Sequence, residues 1–223
     1  MVLPQAFLAR LRQPEMDALA RLWVVRSYRH NDAIIAHRES GCDVFFLLEG
    51  RARVTLFSEN GREIAYRDVG PGEIFGELAG IDGKPRSASV VAIEPARAAR
   101  LPEGAFRDMV STHPNFAWAL LDHLSAQLRR MTDRVYEYST LVVRKRLILE
   151  LLREAQQHAP VDGMPCISPA PAHVELAAKI SSHREAVSRE MSMLAKKGLI
   201  EKRGNRLLLR NAATLELLVA SDD

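Results

Sequence analysis

The feature that most constrains this chain is a change of hydrophobic period at Pro114. Before it, apolar residues come in short runs cut by glycine, and eight of the 12 glycines lie between Gly41 and Gly83. Val44-Phe45-Phe46-Leu47-Leu48 is a continuous run stopped by Gly50, the pattern of a buried strand. Val54 and Leu56 alternate with Arg53 and Thr55, which predicts a half-buried strand. Asn60-Gly61 predicts a tight hairpin turn, and Ile64 and Tyr66 continue on the return strand. Short strands with regular turn signals predict a β-sandwich or barrel over residues 1–115.

Beyond Pro114, Phe116, Leu120, Leu124, Leu128, Met131, Val135, Tyr138 and Val142 recur in steps of three or four. This is the seam of a long helix, and so narrow an apolar stripe points to a partner helix, the alternative being simple packing on its own domain. Residues 116–142 are therefore expected to form a dimerisation helix and hinge.

Residues 143–223 predict a third unit. Arg144 to Gln157 reads as a helix and Ala159 to Pro171 as a Pro/Gly-rich connection. Val174 to Ile180 is a short helix, and Ser181-Ser182 separates it from a second helix through Lys197, with Gly198 placed to end it. Leu199-Ile200 and Leu207-Leu208-Leu209 flank the basic turn Lys202-Arg203-Gly204-Asn205-Arg206. Two helices around a tight turn, then a basic hairpin, describe a winged helix-turn-helix. The fold class is thus α+β in three segments.

Charge follows the same division. Residues 1–140 carry 18 basic and 18 acidic side chains, and residues 141–223 carry 13 and 10. From Leu176 to Arg210 there are nine basic residues to three acidic, the footprint of a phosphate-backbone binder. Cys42 and Cys166 are too few for a common iron–sulfur cluster, and no HExxH or GxSxG spacing supports metal-dependent or serine hydrolysis. No nucleophile–base set supports an enzyme. Pro4, Gln5, Arg10 and Arg12 interrupt the early apolar stretch, and no apolar run is long enough for a membrane span, so a soluble cytoplasmic protein is expected.

The most informative stretch is Gly72-Glu73-Ile74-Phe75-Gly76-Glu77-Leu78-Ala79, followed by Pro85-Arg86-Ser87-Ala88. Glycines at 70, 72 and 76 let backbone approach a ligand, Arg86 can bond a phosphate, Ser87 adds a donor and Glu77 can accept from a sugar hydroxyl. On these residues the chain resembles the cyclic-AMP receptor/fumarate-nitrate regulator family along nearly its whole length. The resemblance implies a jelly-roll-like, cyclic-nucleotide-binding β-roll over residues 1–115, a cyclic-nucleotide effector (cyclic GMP or cyclic AMP), no metal, and a pocket formed by Gly76, Glu77, Leu78, Arg86, Ser87 and Ala88. The alternatives are a remnant pocket in which Arg86 pairs with Glu77, or a relative sensing haem or redox state, for which His30 and His37 are unremarkable ligands.

The resemblance extends to the base. Met131 and Thr132 align with a threonine–serine pair that meets adenine in the family, and Met131 lacks the donors for it. Arg67, beside Tyr66 on the strand entering the pocket, has the spacing of a guanine-contacting arginine in cyclic-GMP-dependent kinases. The alternative for Arg67 is a solvent-facing strand residue.

In the second helix of the third unit, Arg184, Glu185, Ser188 and Arg189 share an arc, while Ala186, Val187 and Met191 face inward. Arginine can donate twice to guanine and glutamate can accept from cytosine. Ser182, His183, Arg184, Glu185, Ser188 and Arg189, with Lys202, Arg203 and Arg206 of the wing, are the expected DNA contacts. The spacing resembles both branches of the family, with Arg184 favouring a TGTGA-like half-site. A homodimer on double-stranded DNA, with RNA polymerase as partner and no membrane, completes the expectation.

Overall fold

The computed structural model describes the backbone of residues 6–57 and 63–221 and the side chains of 6–56 and 67–221. The expected Asn60-Gly61 turn lies outside the described residues. The chain divides into two compact units, Met1–Arg130 and Met131–Asp223.

The first unit opens with a 3-10 turn, Phe7–Arg10, and α1, Gln13–Leu22. The strands β1 (Val24–Tyr28), β2 (Ala33–Ile35), β3 (Val44–Glu49), β4 (Ala52–Phe57), β5 (Glu63–Val69) and β6 (Ile74–Phe75) follow. Then come α2 (Glu77–Asp82), β7 (Ser89–Ala92), β8 (Ala96–Leu101) and α3 (Glu103–Thr112). The strands form two antiparallel four-stranded sheets, ordered β1-β8-β3-β6 and β2-β7-β4-β5.

The unbroken apolar run of β3 has a direct cause, because both of its faces are covered. Phe45 and Leu47 join Ile35, Val69, Val90 and Ala98 in the core between the sheets. Val44 and Phe46 point the other way, onto Leu19, Phe106, Met109 and Phe116. Successive strand residues alternate faces, so a strand buried on both sides cannot alternate in polarity.

In β4 the expected alternation is kept only in part: Val54 packs against the core between the sheets, but its polar neighbours are buried more deeply. Thr55 and Arg53 are buried whereas Val54 and Leu56 are only partly so. A register shift between Val54 and Thr55 reorients the strand, and Arg53 is tolerated inside because Asp68 on β5 takes its Nε at 2.6 Å.

The long helix α4, Pro114–Thr140, runs through both units. Its apolar stripe is not the single seam expected. Phe116 and Leu120 are buried in the core of the first unit and Leu124 packs against it, whereas Leu128, Met131 and Val135 are exposed. Each four-residue step turns about 400°, or about 40° past a full circle, so a 4-4-4 sequence drifts off the core within three steps. A different row, Trp118, Leu121, Ser125, Leu128, Thr132 and Val135, keeps a 3-4 alternation and is exposed throughout.

In the second unit α5 (Val143–Ala155), β9 (Cys166–Ile167), α6 (His173–Lys179) and α7 (Arg184–Lys196) precede the hairpin β10 (Ile200–Arg203) and β11 (Arg206–Leu209). The helix α8, Ala212–Ala220, follows, with the Asn211 side chain accepting from the Thr214 N–H at its start. Leu147, Leu151, Leu176, Val187, Leu194, Leu207 and Leu215 make one core. Charged residues at the end of α4 are buried here too. Arg134 Nη2 donates to Glu150 at 2.7 Å, Arg153 pairs with Glu137, and Lys179 pairs with Glu154. Among the described residues no helix is long and apolar enough to cross a membrane.

Candidate functional site

The first site is built where β6 ends and α2 begins. Gly76 adopts φ 76°, the left-handed region that favours glycine. A Cβ there would stand 2.9 Å from both Arg86 Nη1 and Ile35 Cδ1, so the position admits glycine alone without rearrangement. Its carbonyl accepts from Arg86 Nη1 at 2.9 Å, and the Asp43 carbonyl accepts from Arg86 Nη2 at 2.7 Å. Arg86 is also fixed by its backbone, whose N–H donates to Glu39 O and whose carbonyl accepts from Arg38 N–H.

Arg86 is only 4 % exposed, yet its guanidinium has no carboxylate at bonding distance. Glu39 approaches only to 4.0 Å, from an exposed position, and Nε has no hydrogen-bond partner. Burial holds the Arg86 pKa below the usual arginine value, opposed by the charges of Glu39, Cys42, Asp43 and Glu77. A buried guanidinium whose hydrogen bonds go to carbonyls, with no carboxylate nearer than Glu39 at 4.0 Å among the described residues, retains positive charge with which to attract an anion.

Glu77, the first residue of α2, is buried as well. It does not pair with Arg86, as the remnant alternative required. Its Oε1 lies 3.8 Å from Nε2 of His123 on α4, and His123 Nε2 is 3.1 Å from Gln127 Nε2. Burial raises the Glu77 pKa, but the neighbouring His123, with lesser help from Arg67 and the Glu77 backbone, brings it below the ordinary carboxylate range. His123 carried no motif. Only the packing of α4 on the β-roll reveals it.

The remaining pocket residues are placed unequally. Leu78 and Ser87 are exposed and Ala88 half-buried near Arg86 in the chain. Tyr66 is on β5, with its side chain outside the described residues. Arg67 is neither solvent-facing nor free. Nη1 donates to Glu73 Oε1 at 3.2 Å and Nη2 to the Ile74 carbonyl at 3.0 Å, while Glu73 Oε2 accepts from Gly70 N–H. Met131 and Thr132 are exposed on α4. His30 is exposed with Nδ1 against the Ile93 carbonyl, and the described residues contain no metal-binding cluster.

The second site lies on α6, α7 and the β10–β11 hairpin. The link between the helices turns sharply at Ser181, φ 52°. Ser182 is buried there with its N–H on the Ala177 carbonyl, so it builds the turn and is not presented outward. Val187, Met191 and Leu194 bury one face of α7. Arg184, Glu185 and Arg189 are exposed on the other, with no ion pair among the described residues, and His183 is exposed just before them. Ser188, half-buried on this arc, has its Oγ 2.8 Å from Nδ1 of His173 at the start of α6.

The wing is a tighter hairpin than expected. Arg203 pairs with Arg206 in register, leaving only Gly204 and Asn205 as the turn, with Gly204 at φ 58°. Lys202, Arg203 and Arg206 are exposed, and Arg203 Nε donates to Glu201 at 3.0 Å. β9 extends this sheet from the segment read as a plain connection.

Two family descriptions match in the order of the two units: a cyclic nucleotide-binding domain over residues 25–113 and a Crp-like helix-turn-helix domain over residues 145–218. The "CRP-like cAMP-activated global transcriptional regulator" of Mycobacterium tuberculosis is 26 % identical over 183 residues, 82 % of either chain. The "Cyclic AMP receptor protein" of Thermus thermophilus is 28 % identical over 207 residues, covering 92 % of this chain and 93 % of that one. A solved Thermus thermophilus transcriptional regulator of the CRP/FNR family superposes with a TM-score of 0.74 at 26 % identity, over 90 % of this chain and all of that one. With the two-sheet roll, the long helix and the winged helix in the same order, this chain belongs to the Crp/Fnr family of DNA-binding transcription regulators.

Proposed function

We propose that the protein is a cytoplasmic, homodimeric regulator gated by a cyclic purine nucleotide, cyclic AMP or cyclic GMP, and that it reads a palindromic TGTGA-like site for RNA polymerase. The observation that carries the effector reading is Arg86, a buried guanidinium held by two backbone carbonyls with Nε unpartnered. A cyclic phosphate supplies the anion this arginine lacks, and Ser87 is its adjacent donor. Glu77 offers a carboxylate to a ribose hydroxyl. Leu78 and Ala88 belong to the same cassette. The named activity of the Mycobacterium and Thermus relatives supports the same ligand class.

The dimer is assigned to the exposed row on α4, because a row of 3-4 spacing in which Trp118, Leu121, Leu128 and Val135 are apolar, interrupted only by Ser125 and Thr132, is the geometry of a helix pair. Two copies place two α7 helices for the two halves of a palindrome. Bound nucleotide then favours one of two pre-existing arrangements of the dimer.

Calorimetric titration of cyclic AMP and cyclic GMP into the wild type, Arg86→Ala and Arg67→Ala tests the effector reading. Arg86→Ala should lose on the order of 2–5 kcal/mol of binding for either nucleotide while staying folded. Arg67→Ala should weaken both alike, because its donors already hold Glu73 and the Ile74 carbonyl. A loss confined to cyclic GMP would instead mean that Arg67 exchanges Glu73 for guanine. Failure of the wild type to bind either nucleotide would end the effector reading.

A further inference from the structure

The DNA-facing arc of α7 contains one side chain that is not left to solvent. Ser188 stands one turn beyond Arg184, next to Arg189, and its hydroxyl oxygen is 2.8 Å from Nδ1 of His173. Its own backbone carbonyl accepts from Ser192 Oγ at 2.8 Å. His173 is the first residue of α6 and Ser188 lies one turn into α7, so the contact joins the two helices of the helix-turn-helix.

A free serine hydroxyl is an indifferent reader. It has one proton to give and lone pairs to offer, and it rotates to suit. It can donate to guanine O6 or N7 or thymine O4, and equally accept from adenine N6 or cytosine N4. Bonding to an imidazole nitrogen removes that indifference. If Nδ1 carries no proton, the hydroxyl donates to it and turns only lone pairs outward. If Nδ1 carries the proton, the ring donates and the hydroxyl proton is left for a base acceptor. In either case Oγ is held in place: in the first it meets the groove only as an acceptor, and in the second it offers its proton from a fixed position.

We propose that His173 is a positioning residue for sequence reading: it fixes the Ser188 hydroxyl so that Ser188 discriminates at one base pair in each half-site. The inference rests on α7 lying against base edges, as argued above. His173 does not touch the base in this scheme. It acts through Ser188.

The test is selection of a duplex library, randomised over both halves of a palindrome, by the full-length protein with cyclic AMP or cyclic GMP added. Wild type, Ser188→Ala, His173→Leu, His173→Asn, the Ser188→Ala/His173→Leu double variant and Arg189→Ala are compared. His173→Leu should flatten base preference about 5-fold at one pair per half-site, the size of one directed hydrogen bond. Ser188→Ala should flatten the same pair, and the double variant should do no more than either alone. His173→Asn, which keeps a polar group facing Ser188, should restore part of the preference. The proposal is overturned if His173→Leu weakens all sequences equally, or alters a pair that Ser188→Ala leaves alone. If Ser188→Ala and Arg189→Ala both leave every preference intact, the base-reading role of α7 falls and the proposal with it. Loss at Arg189→Ala alone removes only the proposal.

Discussion

Glu77 on α2 and His123 on α4 face each other at 3.8 Å, both almost fully buried, and tie the phosphate cassette of the β-roll to the long helix. The pair explains how a carboxylate survives at this depth. Burial alone raises its pKa, and the neighbouring histidine, supplemented by Arg67, more than offsets that.

The sign of the shift fixes a pH dependence. The folded-state pKa of Glu77 lies below its unfolded value, so the folded chain releases this proton more readily. The stability this gives is present above the unfolded carboxylate pKa and is lost as pH falls through the folded one. Glu77→Gln should therefore remove part of the acid-induced loss of stability of the first unit. Thermal unfolding midpoints compared between about pH 6 and about pH 3 would show the variant's curve flatter, and parallel curves would refute the assignment.

Gly76 is the second sensitive point. An alanine there takes a left-handed conformation that costs an L-residue about 1–2 kcal/mol. It also drives a methyl to 2.9 Å from Arg86 Nη1, which is pinned by the Gly76 and Asp43 carbonyls and has no room to retreat cheaply. Gly76→Ala should lower stability by that amount and nucleotide affinity disproportionately. Denaturant melts alongside calorimetry separate the two effects. Unchanged affinity in a variant destabilised as expected would detach Gly76 from the ligand.

Much of this was readable in the chain, and the misreadings have physical causes. The Val44–Leu48 run announced a doubly covered strand, and the Ser181-Ser182 interruption announced the helix pair. The stripe on α4 misled because steps of four look alike on paper while rotating around the cylinder, so Phe116 and Leu128 were assigned to one face and occupy two. The α1, α3 and α8 helices were missed, and α8 is apolar nearly all round, so no periodic stripe marks it. His123 and His173 escaped for another reason. Each acts on a partner distant in sequence, Glu77 and Ser188, and only tertiary packing brings the pairs together.

The two faces of α4 give a paired prediction. Leu128 and Val135 are 67 % and 64 % exposed, whereas Leu120 is 5 % exposed. Leu128→Glu with Val135→Glu should dissociate the dimer without unfolding either unit. Leu120→Ala should cost about 2–5 kcal/mol of stability, because it opens a cavity in the core, and leave association intact. Sedimentation and thermal melts of both variants distinguish the faces. A Leu128/Val135 variant that stays dimeric at wild-type concentration dependence would place the interface elsewhere.

The DNA face yields a contrast in kind. Arg184 and Arg189 are exposed on α7 with no ion pair among the described residues, so their guanidinium forks are available to guanine. Arg184→Ala and Arg189→Ala should each cost about 1–3 kcal/mol on the preferred site and relax its guanine requirement. Lys202 and Arg206 lie in the strands beside the two-residue turn of the wing, and in the proposed reading their charges meet phosphate whatever the sequence. Their alanine variants should weaken binding alike on specific and random duplexes and reduce the salt dependence by about one counterion each. Arg203 should matter less, since Glu201 already takes its Nε at 3.0 Å and offsets its charge before DNA arrives. Fluorescence titrations across a salt series on both duplexes give affinity and slope together. Equal losses on the two duplexes for Arg184 and Arg189 would move them from base reading to backbone attachment, and a loss at Arg203 as large as at Arg206 would mean that DNA displaces Glu201.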